Sequence, residues 1–404
     1  MVVMQHVCFP KLITSVFRKL IVYKLVTLSL LQHSKAKTKM GSHESFFIIL
    51  CLLHVSCCVS FTNFAFGDSI VDAGNNNYLP SLSKADYSPY GIDFTPSGGK
   101  PTGRYTNGFT IVDLVALGAK TLASPSLAAN AASHATLGGI NYASGASGIL
   151  EGTGSLFVGR LPLRTQIDNF EVSRAEMVKM MGENGTQDHL KNAIFSITIG
   201  SNDIITYFLP NLPFVGNYDV TPSTLQDIMV SNMTFHIKRL HKLGARKIVI
   251  VDIGPLGCIP FVRSIHFLPV GKCHEEMNTL IRGYNQKLRT AVHRLNQEKG
   301  SGSVFVYANS YQVINMMLQN YRDYGFENVN DPCCGEFFPL SFCLRIGDEN
   351  EISTSICDDR SKYLFWDSYH PSQAANFIIA QHMLNGNENI CSPLNVRQLH
   401  NYKL

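Results

Sequence analysis

Two runs of this chain, Ile194 to Ile199 and Lys247 to Ile253, are near-continuous stretches of β-branched and aromatic residues. A strand with one wet face alternates apolar and polar side chains, whereas a strand covered on both faces does not. Runs of this kind belong to a parallel sheet held between two layers of helix. Phe64 to Phe66 and Val304 to Tyr307 read as further strands of that sheet. Between the last three strands lie Thr224 to Leu243 and Glu275 to Asn296, both long enough for helices. The second carries Met277, Leu280, Ile281, Tyr284 and Leu288 at helical spacing. Strand–helix alternation implies right-handed crossovers with helices on both faces of one sheet. The expected fold class is α/β, a three-layer α/β/α sandwich with a mostly parallel central sheet, in a single domain over residues 61–404.

Ligands of open α/β sheets bind beyond the carboxyl ends of the strands. Phe66-Gly67-Asp68-Ser69 ends the first strand, and Asp367 and His370 arrive on a late loop before a helix from about Ser372 to Leu384. A serine hydroxyl is a weak nucleophile until a base takes its proton, and the base needs a carboxylate to fix its tautomer and orientation. Ser69, His370 and Asp367 supply those three roles. Each motif also has an ordinary reading. Gly, Asp and Ser all favour turns, and Asp367 could cap the helix after Pro371.

Two intermediate blocks support the chemical reading. Gly139 to Gly148 is dense in small residues, as close backbone approach to an oxyanion requires, though a surface loop would look the same. Gly200-Ser201-Asn202-Asp203 follows a strand, so the Asn202 amide is placed to donate to developing negative charge; its ordinary reading is a helix N-cap. Asp68 and Asp72 read as local hydrogen-bonding residues. Asn75-Asn76-Asn77 reads as a polar loop close enough to Ser69 to touch a substrate.

In this order, the blocks resemble the plant-type GDSL esterase/lipase family of the SGNH hydrolase superfamily. The resemblance runs from about Phe64 to about Ser392 and is carried by FGDSIVDAGNNN (Phe66 to Asn77), GRYTNG (Gly103 to Gly108), INYASGASGI (Ile140 to Ile149), IGSND (Ile199 to Asp203), GPLGCIP (Gly254 to Pro260) and FWDSYHPS (Phe365 to Ser372). It implies a flavodoxin-like SGNH fold and a serine esterase or lipase acting on carboxylic esters. Ser69 is the implied nucleophile, Asp367 and His370 complete the triad, and Gly145 and Asn202 form the oxyanion hole. No metal or organic cofactor is implied. Lipid, cutin-like polyester, phenolic ester and acetylated polysaccharide all remain open as substrates. An acyltransferase using the same acyl-enzyme, or a non-catalytic cell-surface binding protein, are the alternatives. Ser69 lacks the Gly-x-Ser-x-Gly setting of an α/β-hydrolase elbow.

The formal charge of +4 comes from the N-terminus, where residues 1–60 hold seven Lys and Arg and the single acid Glu44. The remainder has 27 basic and 29 acidic residues, which gives no electrostatic footprint for nucleic acid. Phe46 to Phe61 is an apolar stretch preceded by Lys35, Lys37 and Lys39 and closed by small residues, the pattern of a secretory signal peptide. It is too short for a stable membrane span. A second apolar run, Leu20 to Leu31, either anchors the protein or precedes the true start; signal-peptide length favours Met40 as that start.

Export to the extracellular space or cell wall also agrees with the cysteines. Beyond residue 60 there are seven, and Cys333, Cys334, Cys343 and Cys357 crowd one Pro/Gly-rich stretch. In a secreted chain they read as disulfides pinning a long loop, in one of three pairings. An odd total leaves at least one thiol free unless it pairs between chains. Asn184-Gly185-Thr186 and Asn232-Met233-Thr234 are glycosylation acceptors.

Overall fold

A computed structural model of the chain describes residues 62–116, 122–129, 139–209, 220–299, 302–335, 343 and 355–404. The leader, with its expected signal peptide and start at Met40, lies outside the described residues. Among the described residues there are nine strands: β1 (Asn63–Gly67), β2 (Ser124–Pro125), β3 (Ile140–Asn141), β4 (Ile194–Thr198), β5 (Lys247–Val251), β6 (Val304–Ala308), β7 (Asn328–Pro332), β8 (Tyr363–Phe365) and β9 (Cys391–Ser392). Seven form one sheet in the order β2-β3-β1-β4-β5-β6-β9. All its pairings are parallel except β6 with β9. The chain builds outward from β1 to β3, then returns to place β4 on the other side of β1. That reversal is the topological switch at which α/β proteins place their ligands.

The undiluted apolar runs became the middle of the sheet. Every residue of β1, β5 and β6 is buried. Phe64, Phe66, Tyr142, Phe170 and Phe195 stack and meet edge-to-face across the first layer, with ring centroids 5.0–6.5 Å apart. On the helix Glu275–Lys299, Met277, Leu280, Ile281, Tyr284 and Leu288 are all buried, as their spacing predicts. The helix Pro222–Lys242 begins two residues before the sequence pattern suggests because Thr221 caps it by accepting from the Thr224 N–H, with proline at its first position.

A long helix, Leu163–Asn192, went unread in the sequence. Only Leu163, Gln166, Ile167, Phe170, Met177, Thr186 and Leu190 of its thirty residues are buried, and Gly182 breaks it with φ 75°. The first sequon lies just past that break. Asn184 is exposed, while Asn232 is half-buried on its helix and donates its amide to the Ile228 carbonyl. The cysteines pair as Cys258–Cys273, Cys333–Cys357 and Cys334–Cys343, and Cys391 is a buried free thiol.

Candidate active site

The site begins where β1 is forced to stop. The Gln166 side chain brackets Gly67, accepting from its N–H and donating to its carbonyl, both at 2.8 Å. A side chain on Gly67 would lie 2.4 Å from the Thr198 carbonyl, so only glycine fits there. The chain then turns, pinned by the Asp68 carboxylate, which accepts from the Ile70 N–H at 3.0 Å. Ser69 is left half-buried at the mouth of a cleft of about 360 Å³.

Across that cleft the late loop brings in its pair. His370 Nε2 lies 2.7 Å from Ser69 Oγ, and His370 Nδ1 lies 2.8 Å from both carboxylate oxygens of Asp367. Asp367 also accepts from the Tyr369 and His370 N–H groups, at 2.8 Å each, which close the loop on itself. Its fourth donor comes from far upstream in the chain: the Tyr90 hydroxyl, 2.7 Å from Oδ2. Burial works to raise the Asp367 pKa, but the His370 charge and these hydrogen bonds hold it below the ordinary carboxylate value. Burial and the neighbouring Asp367 charge push the Tyr90 hydroxyl well above its usual range, so it stays a donor. Nothing in Ser88-Pro89-Tyr90 signals this role in the sequence. The Tyr105 ring covers His370 at a centroid distance of 5.2 Å.

Asn202 opens the helix Ser201–Phe208 beside the cleft and donates through Nδ2 to the Ser147 carbonyl at 2.9 Å, leaving its second amide hydrogen for another acceptor. Gly145 is placed differently from the sequence expectation. Its N–H donates to Asp72 Oδ2 at 3.0 Å, and its carbonyl accepts from Asn76 Nδ2 at 3.1 Å. Glycine is required at 145 for packing, since a side chain there would lie 2.2 Å from the Tyr105 hydroxyl. The residue that lines the cleft with Ser69 and Asn202 is its neighbour Ala146. Ala146 sits at φ 65°, a left-handed conformation uncommon for a residue with a side chain. Among the described residues neither the Ala146 nor the Ser69 N–H is engaged in a backbone hydrogen bond.

Three buried carboxylates hold the loops around this cleft. Asp72 accepts from the Gly74, Asn75 and Gly145 N–H groups, and Asp203 from Ile149, Leu150 and the Thr153 hydroxyl. Asp68 is the third. Asn75 and Asn76 are buried scaffolding that ties this loop to residues 141–145, so they do not offer a substrate contact. Arg104 forms a bidentate, buried pair with Asp113, 2.8 Å on each arm, and lies over the Phe94 ring.

Burial raises Asp68 to about 7 and Asp72, Asp203 and Asp252 to about 6, against the N–H and hydroxyl donors that lower them. Their folded values lie above the unfolded value of about 4, so the folded protein holds more protons between the two. The stability they contribute is complete below pH ~4 and is lost as pH rises through 6 to 7. Thermal melts should therefore give a higher Tm at pH 5 than at pH 7.5. The opposite order would show that these carboxylates are stabilised as anions.

The family described as GDSL-like Lipase/Acylhydrolase matches residues 64–383, which span every group named above. The chain belongs to this family. It is a carboxylic ester hydrolase by that membership. Two GDSL esterase/lipases of Arabidopsis thaliana are similar to it. One is 53% identical over 349 residues, covering 85% of this chain and 94% of its own. The other is 46% identical over 345 residues, covering 85% and 91%. Among solved structures, phospholipase A1 from Streptomyces albidoflavus NA297 matches with a TM-score of 0.29 at 14% identity, over 78% of this chain and 94% of that one; a score this low supports no inference. Among the described residues no helix is long and apolar enough to cross a membrane.

Proposed function

We propose that this chain is a secreted serine esterase that cleaves carboxylic esters through an acyl-enzyme on Ser69. The reading rests on the continuous line from Ser69 Oγ to His370 Nε2 at 2.7 Å and from His370 Nδ1 to Asp367 at 2.8 Å. Ser69 Oγ attacks the ester carbonyl as its proton passes to His370 Nε2. Asp367 holds the ring and stabilises the imidazolium. His370 then returns the proton to the departing alkoxide, and water repeats the sequence on the acyl-enzyme. The Ser69 N–H, the Ala146 N–H and the free Asn202 amide hydrogen meet the oxyanion. Gly145 serves by packing under Tyr105 and fixing the turn that presents Ala146. Holding a non-glycine residue at positive φ costs roughly 1–3 kcal/mol, a strain found where a backbone group must face a site. A fluorophosphonate probe should label the purified protein at one residue, and tryptic mapping should place the adduct on Ser69. An adduct elsewhere would overturn the assignment.

Secretion is supported by the apolar leader, the three disulfides and the exposed sequon at Asn184, where sugar is expected in preference to Asn232.

Tyr90 acts as a positioning residue on the triad acid. In Tyr90→Phe a buried carboxylate loses a donor worth about 1.5–3 kcal/mol. The expected loss is about 10- to 100-fold in kcat with KM little changed. The fall in kcat at constant KM is the readout, because Asp367 acts on His370. A purely structural role would lower Tm and leave kcat unchanged at temperatures where the variant is folded.

A further inference from the structure

A second cavity, of about 70 Å³, lies at the carboxyl ends of β4 and β5, where Thr198, Val251 and Asp252 line it. Ile111, Met317 and Ile379 reach it from the helices Ile111–Val115, Ser310–Gln319 and Gln373–Asn385 and make that side apolar. Among the described residues no Lys, Arg or His lines it. The Asp252 carboxylate is taken up by its own partners. Oδ2 accepts from the Tyr307 hydroxyl at 2.6 Å, and Oδ1 from the Ser310 hydroxyl and the Tyr311 N–H at 2.8 and 3.0 Å. The cavity therefore suits an uncharged, apolar group. One water needs about 10–15 Å³ and an apolar cavity of roughly 150 Å³ takes a benzene ring, so this cavity has room for about three carbons.

Ile70, Ser201, Leu256, Ile259 and Tyr369 line both this cavity and the Ser69 cleft, so the two spaces are neighbours. Ile70 directly follows the nucleophile and Tyr369 directly precedes the base. The Tyr369 ring is stacked on Phe261 with centroids 4.5 Å apart, and the Phe261 N–H donates to the Ser368 carbonyl at 2.9 Å. Proton transfer decides which half of an ester such a neighbour can hold. The departing alkoxide must lie at His370 Nε2 to take its proton, whereas the carbonyl oxygen turns to the oxyanion donors. Tyr369 and Pro371, on either side of His370, line the second cavity, while Ala146 and Asn202 line only the cleft. The second cavity is on the side of the base.

We propose that this cavity is the subsite for the alcohol half of the ester, and that it selects short apolar alcohols which enter between Ile70 and Tyr369. The proposal rests on the serine-esterase reading and adds to it a choice of alcohol. Full burial of a methylene is worth roughly fourfold in binding. Unbranched alkyl alcohols differ little as leaving groups, so that gain is read directly in kcat/KM.

The test is a series of alkyl butyrates from methyl to hexyl, followed by acid release, with kcat/KM plotted against the length of the alcohol. Wild type should rise roughly fourfold per carbon from methyl to propyl and gain nothing beyond butyl. Ile314 lines the cavity and not the cleft, so its size sets the cavity without touching the Ser69 side. Ile314→Phe should flatten the rise, and Ile314→Ala should extend it by one or two carbons. Each slope is read within one variant, so a general loss of activity does not enter, and a merely destabilised protein cannot come to prefer a longer alcohol. Methyl esters of different acids should give the same acyl profile in wild type and both variants. Hydrolysis with a flat alcohol series, or Ile314 variants that change the acyl profile instead, overturns the alcohol subsite alone. No hydrolysis of any ester together with no probe adduct on Ser69 overturns the serine-esterase reading, and the subsite falls with it.

Discussion

Ser69→Ala should lower ester turnover by about 10⁶-fold and abolish labelling by a serine-directed probe, the scale seen when a triad nucleophile is removed. The fold should be untouched, because the Ser69 hydroxyl is half-buried and its side-chain partner among the described residues is His370. Nucleophile and base act as a unit, so adding His370→Ala to Ser69→Ala should cost little more. Asn202→Ala provides the contrast. It removes one oxyanion donor and should cost about 10²–10³ in kcat, with KM nearly constant, because the charge it meets develops only in the transition state. Steady-state kinetics on a soluble ester, with circular dichroism on each variant, checks the series. Wild-type turnover by a folded Ser69→Ala protein would remove the nucleophile from the scheme.

Removing the Cys333–Cys357 bridge should give the largest loss of stability among the changes considered. The bond closes a sequence separation of 24 residues, for which the loop-entropy relation gives about 3 kcal/mol. A Tm drop of roughly 5 °C follows for a chain of this size. Activity should suffer beyond that, since this segment supports the triad acid. The Cys333 and Cys334 N–H groups donate to the Phe365 and Trp366 carbonyls, immediately before Asp367. Cys343, bonded to Cys334, accepts from the Tyr87 hydroxyl, whose ring packs edge-on against Tyr90. Cys333→Ala with Cys357→Ala should therefore lower kcat at 25 °C, where the protein is still folded. Scanning calorimetry and kinetics on the same preparation decide it. A variant that melts with wild type and keeps its kcat would mean that the β7–β8 pairing alone holds the loop.

Much of this protein is written locally in its sequence. Runs such as Lys247 to Val251 read as buried strands because burial on both faces leaves no polar alternation, and the 277–288 stripe reads as a helix face because a helix repeats every 3.6 residues. The residues of the site were legible as blocks because part of what shapes the turn at Ser69 and the loop at Asp367 and His370 is local: the Asp68 carboxylate accepts from the Ile70 N–H, and Asp367 from the Tyr369 and His370 N–H groups. The helix Leu163–Asn192 was not legible, because its buried positions are sparse, include Gln166 and Thr186, and are interrupted at Gly182.

Other features were decided only by the tertiary structure. Four crowded cysteines allow three pairings, and the folded path of the chain selects Cys333–Cys357 and Cys334–Cys343. Gly145 is the oxyanion residue that the family resemblance implies, yet its amide is taken by Asp72 and its face by Tyr105, and the residue that lines the cleft is its neighbour Ala146. Tyr90 reaches Asp367 across a separation of 277 residues. Periodicity and short motifs record what a residue needs from its neighbours in the chain. Which amide a buried carboxylate takes, and which hydroxyl reaches the triad acid, depends on groups that only the closed fold brings within hydrogen-bonding distance.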